Sequence, residues 1–424
     1  MNDMLWSDVA PTDWKYQKLK YLAHFVGGGT PDKSTPEFWD GDIPWVSPKD
    51  MKTDEIFDTE DHITAEGLQS SATNLVQPGA ALIVVRSGIL RHSIPVAINR
   101  VPAAINQDMR AILPNDTCDV RYLARLITGF QAELLRLWSK EGATVESLEY
   151  DLVASTEIPV PPLATQQGIV EFLDRETAGI DTLISAKQRL LDLLAEKRRA
   201  VIAEAVMRGL NPAAPLRASG IDWLGDIPAH WELERSRWLF QERDERSETG
   251  EEEMLTVSHL TGVTPRSEKD VNMFEAETTA GYKLCFAGDL VINTLWAWMG
   301  AMGTARVDGI VSPAYNVYTP GPRLIPDYVD ALVRIPVFAQ EVTRYSKGVW
   351  SSRLRLYPEG FFQTYWPVPP IGEQHEIVRH IATETAKIDR LRAATEHSIT
   401  LLKERRGALI AAAVTGQINI PEAA

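Results

Sequence analysis

The residues of this chain best suited to chemistry are cations and tryptophans set in two blocks of otherwise acidic sequence. The first block offers Lys49, Lys52, Arg86, Arg91 and Arg110; the second offers Arg266, Lys269, Trp296, Trp298, Lys347, Trp350, Arg353 and Arg355. Arginine can meet a guanine edge with two donors and lysine can hold a phosphate. Within GVWSSRLRLYPEGF (348–361), Arg353 and Arg355 alternate along an extended run and so share one face. Taken singly, each of these residues also suits an ordinary solvated surface. The chemistry they support is binding rather than bond making.

The tools of catalysis are missing from the sequence. There is no GxxxxGK[ST] phosphate loop, and GGG at 27–29 runs into Thr30-Pro31, which argues against a dinucleotide loop opening a helix. Asn211-Pro212-Ala213 lacks the second proline and the aromatic residue of the tetrapeptide used by amino-methyltransferases. His375 and His380 stand five apart on a helix and do not share a face, so they make no metal pair. Acidic runs such as Glu60-Asp61 and Glu251-Glu252-Glu253 read as solvated surface. Neither a catalytic residue nor a metal or cofactor site is expected in this chain.

The elements that would position the cations are written twice. PVPPLATQQGIVEFLDRETAGIDTL from Pro159 is answered by PVPPIGEQHEIVRHIATETAKIDRL from Pro367, an offset of 208 that still holds at Arg198/Arg406 and Val206/Val414. A fainter echo, Trp6, Pro11 and Trp14 against Trp223, Pro228 and Trp231, has an offset of 217. Neither PVPP-led segment has a proline beyond its opening, both are rich in good helix formers, and each carries one apolar stripe. In the first the stripe is Ile169, Leu173, Ile180, Leu183, Leu190, Leu194 and Val201; in the second it is Ile377, Ile381, Ile388, Leu391, Leu402 and Leu409, interrupted at Ser398. A continuous helix over 166–207 would run on the order of 60 Å, and the cheapest partner for its stripe is the other copy. The expected division is 1–157 and 232–365 as mixed α/β domains, 158–210 and 366–424 as helical spacers, and 211–231 as the linker.

Charge follows the same division. Of the net −15, the share of 1–157 is −9 and that of 211–365 is −6, while the two helical segments are each balanced. Nucleic-acid binding through phosphates wants a basic surface, so the chain alone should bind DNA weakly unless a partner supplies positive charge. Cys118 and Cys285 as the full cysteine complement fit a reducing compartment. The start, MNDMLWSDVAPTDW, is not a signal peptide, and no apolar run reaches the roughly 20 residues that span a bilayer, so a soluble cytoplasmic protein with no membrane partner is expected. The residues alone leave open a paired nucleic-acid reader, a helical scaffold presenting two ligand-binding domains, and a self-contained methyltransferase.

The motifs resemble those of the specificity (S) subunits of type I restriction–modification systems. GGGTPDKSTPEFWDGDIPWVSPKDM (27–51) is similar to the start of that family's target-recognition domain; SRLRLYPEGFFQTYWPVPP (352–370) is similar to its exit into a conserved helix. Both PVPP-led segments and GIDWLGDIPAHWE (220–232) add to the likeness, which covers nearly the whole chain; the second block has no counterpart of GGGTP. The resemblance implies an α+β, pseudo-twofold protein: two target-recognition domains held apart by two long conserved helices paired as an antiparallel coiled coil. Each domain would read one half of a bipartite, asymmetric double-stranded DNA target. The helices would fix the unread spacer and dock two modification subunits, joined by two restriction subunits in a system that cleaves. The chain would bind no cofactor itself; S-adenosylmethionine, ATP and Mg would sit on the partners. On this likeness Lys49, Arg86, Arg91, Arg353 and Arg355 are expected to contact DNA, and the helix faces to carry the docking.

Overall fold

Helices that satisfy their own backbone groups need no sheet to hold them, and both PVPP-led segments use that freedom. Leu163–Arg208 forms one helix of 46 residues and Ile371–Val414 another of 44. Each begins right after a double proline, which stops the short strand before it (Glu157–Val160 and Tyr365–Val368). The computed structural model describes residues 11–420 apart from 141, 143, 144, 269–277 and 349–353. The chain divides into two units, 1–188 with 397–424 and 189–396, so each long helix contributes to both.

In the first unit a five-stranded sheet runs in the order Ala23–Gly27, Met109–Pro114, Ala81–Val84, Val96–Asn99, Glu55–Ile56; its strands pair antiparallel except the last two. The fully buried run Ala81–Val84 is apolar on both faces because helix Val120–Gly129 and the rest of the core cover it. In the second unit the order is Phe240–Arg243, Tyr315–Pro320, Leu290–Asn293, Met302–Thr304, with Leu290–Asn293 again wholly buried. The helices Val120–Gly129 and Gln131–Trp138 of the first unit return as Pro326–Val333 and Phe338–Tyr345. Lys15–Lys18 pairs antiparallel with Glu157–Val160, and Glu232–Arg235 pairs likewise with Tyr365–Val368. The repeat therefore runs through the blocks whose sequences do not align by eye.

Buried polar hubs close each unit in the same way. The Tyr122 hydroxyl shares its one proton between the carbonyls of Pro159 and Val414, both at 3.0 Å; that of Tyr328 does so between Pro367 (3.1 Å) and Val206 (3.2 Å). The start of one long helix and the end of the other are thus fastened to a single phenol in each unit, and the two run antiparallel there. Gln166 donates to the carbonyls of Thr117 and Pro161 and accepts the Asp119 N–H; Gln374 donates to those of Arg323 and Pro369 and accepts the Ile325 N–H. Both amides are fully buried, so three backbone groups depend on each. The helix ends stop at Gly209 (φ +74) and Gly416 (φ +71), where a Cβ would meet Trp231 at 3.1 Å and Pro11 at 2.6 Å. Those are members of the fainter Trp-Pro-Trp echo, and here its purpose is visible: it caps the other copy's helix. Trp6 lies outside the described residues.

The helix seam differs from the predicted stripe. Ile169, Leu173, Leu194, Ile377 and Ile388 are buried, and Ile180, Ile381 and Leu402 are half-buried. Leu183 (45 % exposed), Leu190 (43 %) and Leu391 (57 %) face solvent instead. Steps of three, four and seven identify one face of a helix but not how wide a strip its neighbour covers. Thr177, Thr385 and Thr395 take places in the buried strip, each donating its hydroxyl at 2.7 Å to the carbonyl four residues back. The polar atom is thereby satisfied within its own helix.

Candidate nucleic-acid interface

Of the predicted cations, Arg86, Arg91 and Arg355 lie on an edge that both units build. In each, the chain leaves the buried central strand into a short loop (85–91 and 294–299), and a second segment after the helices crosses beside it. In the first unit the Leu148 N–H donates to Val85 O at 2.8 Å, and Ser87 N–H to Glu146 O. In the second, the Leu356 N–H donates to Thr294 O at 3.2 Å. The crossing segments are themselves bridged alike: Lys140 N–H to Ser147 O, and Lys347 with Arg355 through both backbone hydrogen bonds at 2.9 Å. Residues more than fifty apart in sequence thus form one edge in each unit.

The side chains on these edges differ between the units. In the first, arginine is on the loop: Arg86 Nε lies 2.6 Å from Asp108, and Arg91 Nε lies 3.0 Å from Glu146 of the crossing segment. In the second the loop carries Trp296, half exposed, and Trp298, stacked at 6.3 Å between centroids, while the exposed Arg355 stands on the crossing segment. Lys347 there pairs with Glu359 at 3.2 Å. Arg353, Lys269 and Trp350 lie outside the described residues.

Lys49 stands apart from the first edge, on the turn Pro48–Asp50 held by the reciprocal Ser47–Asp50 cap. It pairs with Asp61 at 3.1 Å, and its neighbour Lys52 with Glu60 at 3.0 Å. The hydrogen bond and charge of Asp61 raise the pKa of Lys49, so its ammonium persists at any physiological pH. Arg110 lies with its guanidinium 4.8 Å from the Tyr150 ring centre. Arginine and lysine on exposed loops can donate to phosphate oxygens or base edges, and exposed indoles can lie against bases. Lys49, Arg86 and Arg91 already face carboxylates, and a phosphate must compete with those acids for them. Among the described residues no group of three or more His, Cys, Asp or Glu side chains is placed to hold a metal ion, and no helix is long and apolar enough to cross a membrane. Cys118 and Cys285 are free, and burial pushes both thiols up to about 12, which makes them inert.

Residues 11–191 match the type I restriction modification DNA specificity domain. The chain is similar in sequence to type I specificity subunits. It is 41 % identical over 182 residues to the EcoR124I/EcoR124II specificity subunit of Escherichia coli, a match covering 43 % of this chain and 45 % of the relative. The MjaIX specificity subunit of Methanocaldococcus jannaschii is 31 % identical over 190 residues, 43 % of this chain and 41 % of the relative. These matches span less than half the length of either relative. A longer and weaker match, 24 % over 346 residues, covers 75 % of this chain and 70 % of the E. coli EcoBI specificity subunit. The fold extends the likeness to nearly all of the chain. A chain solved in work on complex assembly and conformational transition of the type I R-M system aligns with a TM-score of 0.70 at 15 % identity, over 96 % of this chain and 99 % of that one. The HsdS subunit from Thermoanaerobacter tengcongensis gives 0.50 at 15 % identity, over 96 % and 98 %.

Reading the sequence did not find that the loops 85–91 and 294–299 are equivalent, although a signal existed. PGAALIVV (78–85) and AGDLVINT (287–294) align at an offset of 209 as proline or alanine, glycine, one small or acidic residue and a buried strand. Gln166/Gln374 were legible as matching letters but not as buried hubs.

Proposed function

We propose that this chain is the non-catalytic DNA-recognition subunit of a type I restriction–modification complex. The observation that carries the reading is the edge built twice on one frame with different side chains. A symmetric frame with two unlike surfaces suits an asymmetric, two-part DNA target better than two copies of one ligand. The specificity-domain match over 11–191 supports it. We assign 1–157 and 232–365 as the recognition domains, with Lys49, Arg86 and Arg91 contacting the first half-site and Arg353 and Arg355 the second. The two long helices act as the ruler for the unread spacer; a straight helix of 46 residues reaches up to ~20 base pairs at about 1.5 Å per residue and about 3.4 Å per base pair, less any overlap and tilt. Their exposed faces dock two modification subunits, which bring S-adenosylmethionine; in a system that cleaves, two restriction subunits add ATP- and Mg-dependent steps, all in the cytoplasm. The acidic blocks then need positive charge from those partners for tight binding.

The test is co-expression with the methyltransferase encoded beside this chain, followed by methylome sequencing of the host. One bipartite motif with adenine methylated in each half is the expected result. Co-purification without sequence-specific methylation would sink the reading and favour a scaffold with two protein ligands.

A further inference from the structure

The second unit contains a cavity that its twin closes. In the first unit, Arg125 of helix Val120–Gly129 lies 3.0 Å from both Asp54 and Asp174, and Arg406 lies 2.8 Å from Asp181 and 3.8 Å from Asp54. The space left among these groups is about 80 Å³. At the corresponding place in the second unit Arg125 is replaced by Ala331, and Asp174, 208 residues earlier on the repeat, by Ala382. The sheet-edge turn that delivered Asp54 is answered by 260–262, which offers no carboxylate: the carbonyl of Leu260 accepts from Arg334 at 2.8 Å, and Gly262 lies against the same guanidinium.

Two carboxylates are thus gone, and the cavity is about 510 Å³. Its floor is apolar (Ile202, Ile335, Val378 and Ile381), and Arg198, Arg199, Arg306 and Arg334 line it. Asp327 and Asp330 stand where the first unit has Arg121 and Ala124, Asp389 where it has Asp181, and all three are engaged. Asp330 accepts the Thr304 N–H at 3.0 Å and lies 3.8 Å from Arg334; Asp327 lies 3.6 Å from Arg306; Asp389 lies 3.3 Å from Arg198. Among the described residues Arg199 has no hydrogen-bond or ion-pair partner.

We propose that this cavity binds an aliphatic carboxylate, which takes the place of the acids the first unit supplies from its own chain. Arginines over an apolar floor fit a carboxylate on a short methylene stem, the chemistry shared by a free dicarboxylate such as glutarate and by a glutamate side chain of a docked protein. The site stands on the two-unit comparison alone and does not depend on DNA recognition.

The test is calorimetric titration of the full chain with glutarate, with the neutral glutaramide and with inorganic phosphate. Glutarate should bind saturably and at least tenfold more tightly than either of the others. Ala382→Asp, which restores the first unit's carboxylate, should weaken glutarate at least tenfold, whereas Ala382→Asn should not; Arg199→Ala should weaken it in the same direction. Glutaramide or phosphate binding as well as glutarate, or Ala382→Asp leaving glutarate binding unchanged with an unchanged melting temperature, overturns the proposal. Assembly of the Ala382→Asp chain with its methyltransferase then separates the sources. Lost assembly puts the carboxylate on the protein partner; intact assembly with lost glutarate binding makes the ligand a free acid.

Discussion

The two units share a frame and differ at their edges, and the residues that do each job are of different kinds. The frame is held by buried polar groups that each serve several backbone partners: Tyr122 and Tyr328 each share one proton between two carbonyls, and Gln166 and Gln374 each serve three backbone groups. A buried group that serves several backbone partners cannot change without stranding them, so this chemistry recurs in both units. The edges are exposed, and there arginine moves from loop to crossing segment and tryptophan takes the vacated place. Exposure removes the penalty for exchange and leaves reading surfaces free to diverge.

The largest effect should come from breaking the frame. Gln374→Ala strands the Ile325 N–H and the carbonyls of Arg323 and Pro369, and should cost about 3 kcal/mol in urea unfolding at the usual 1–3 kcal/mol per stranded group. Gln166→Ala should cost about the same for the first unit. A several-fold difference between the two would break the equivalence drawn here.

Next come the edges. Arg86→Ala with Arg91→Ala should reduce methylation through the first half of the target by about tenfold or more, on the scale of one lost bidentate contact, and leave preference in the second half unchanged. Trp296→Ala with Arg355→Ala should do the reverse. Equal loss in both halves from either pair would show that the edges do not read separately. Neither pair should move the melting temperature much, since all four side chains are exposed or on exposed loops.

The smallest effect sharpens a difference inside the frame. Glu341 is buried where the first unit has Leu134; its carboxylate accepts the Tyr365 N–H at 2.9 Å, and burial raises its pKa. The unfolded chain releases this proton at an ordinary carboxylate pH, the folded one only higher. Its contribution to stability is therefore full below the ordinary range and is lost as pH rises through the raised value. Glu341→Gln should stabilise the second unit at pH 7 and make no difference at pH 4, as measured by unfolding at the two pH values.

The long helices were legible because composition, the double prolines and an apolar stripe all point the same way along 158–210 and 366–424. The seam was legible only in part. Leu183, Leu190 and Leu391 keep the period yet face solvent, while Thr177, Thr385 and Thr395, which stand on the same steps but are polar, are buried. Periodicity is a property of one helix; burial is a property of two. The cations were legible as residue types, but their acidic partners were not: Arg91 meets Glu146 across 55 residues and Arg86 meets Asp108 across 22.

By itself the sequence determined that one unit is written twice and that both copies end in long helices. Those facts rest on repetition and local propensity, which a linear string carries in full. Only the tertiary structure decided that each unit is closed by the far end of the other copy's helix, that the divergent blocks share the order of four sheet strands, and that arginine stands on the loop of one edge and on the crossing segment of the other, with tryptophan on the second loop. Each of these depends on which distant backbone groups meet, and burial forces that meeting wherever a phenol, an amide or a guanidinium must find a partner out of water.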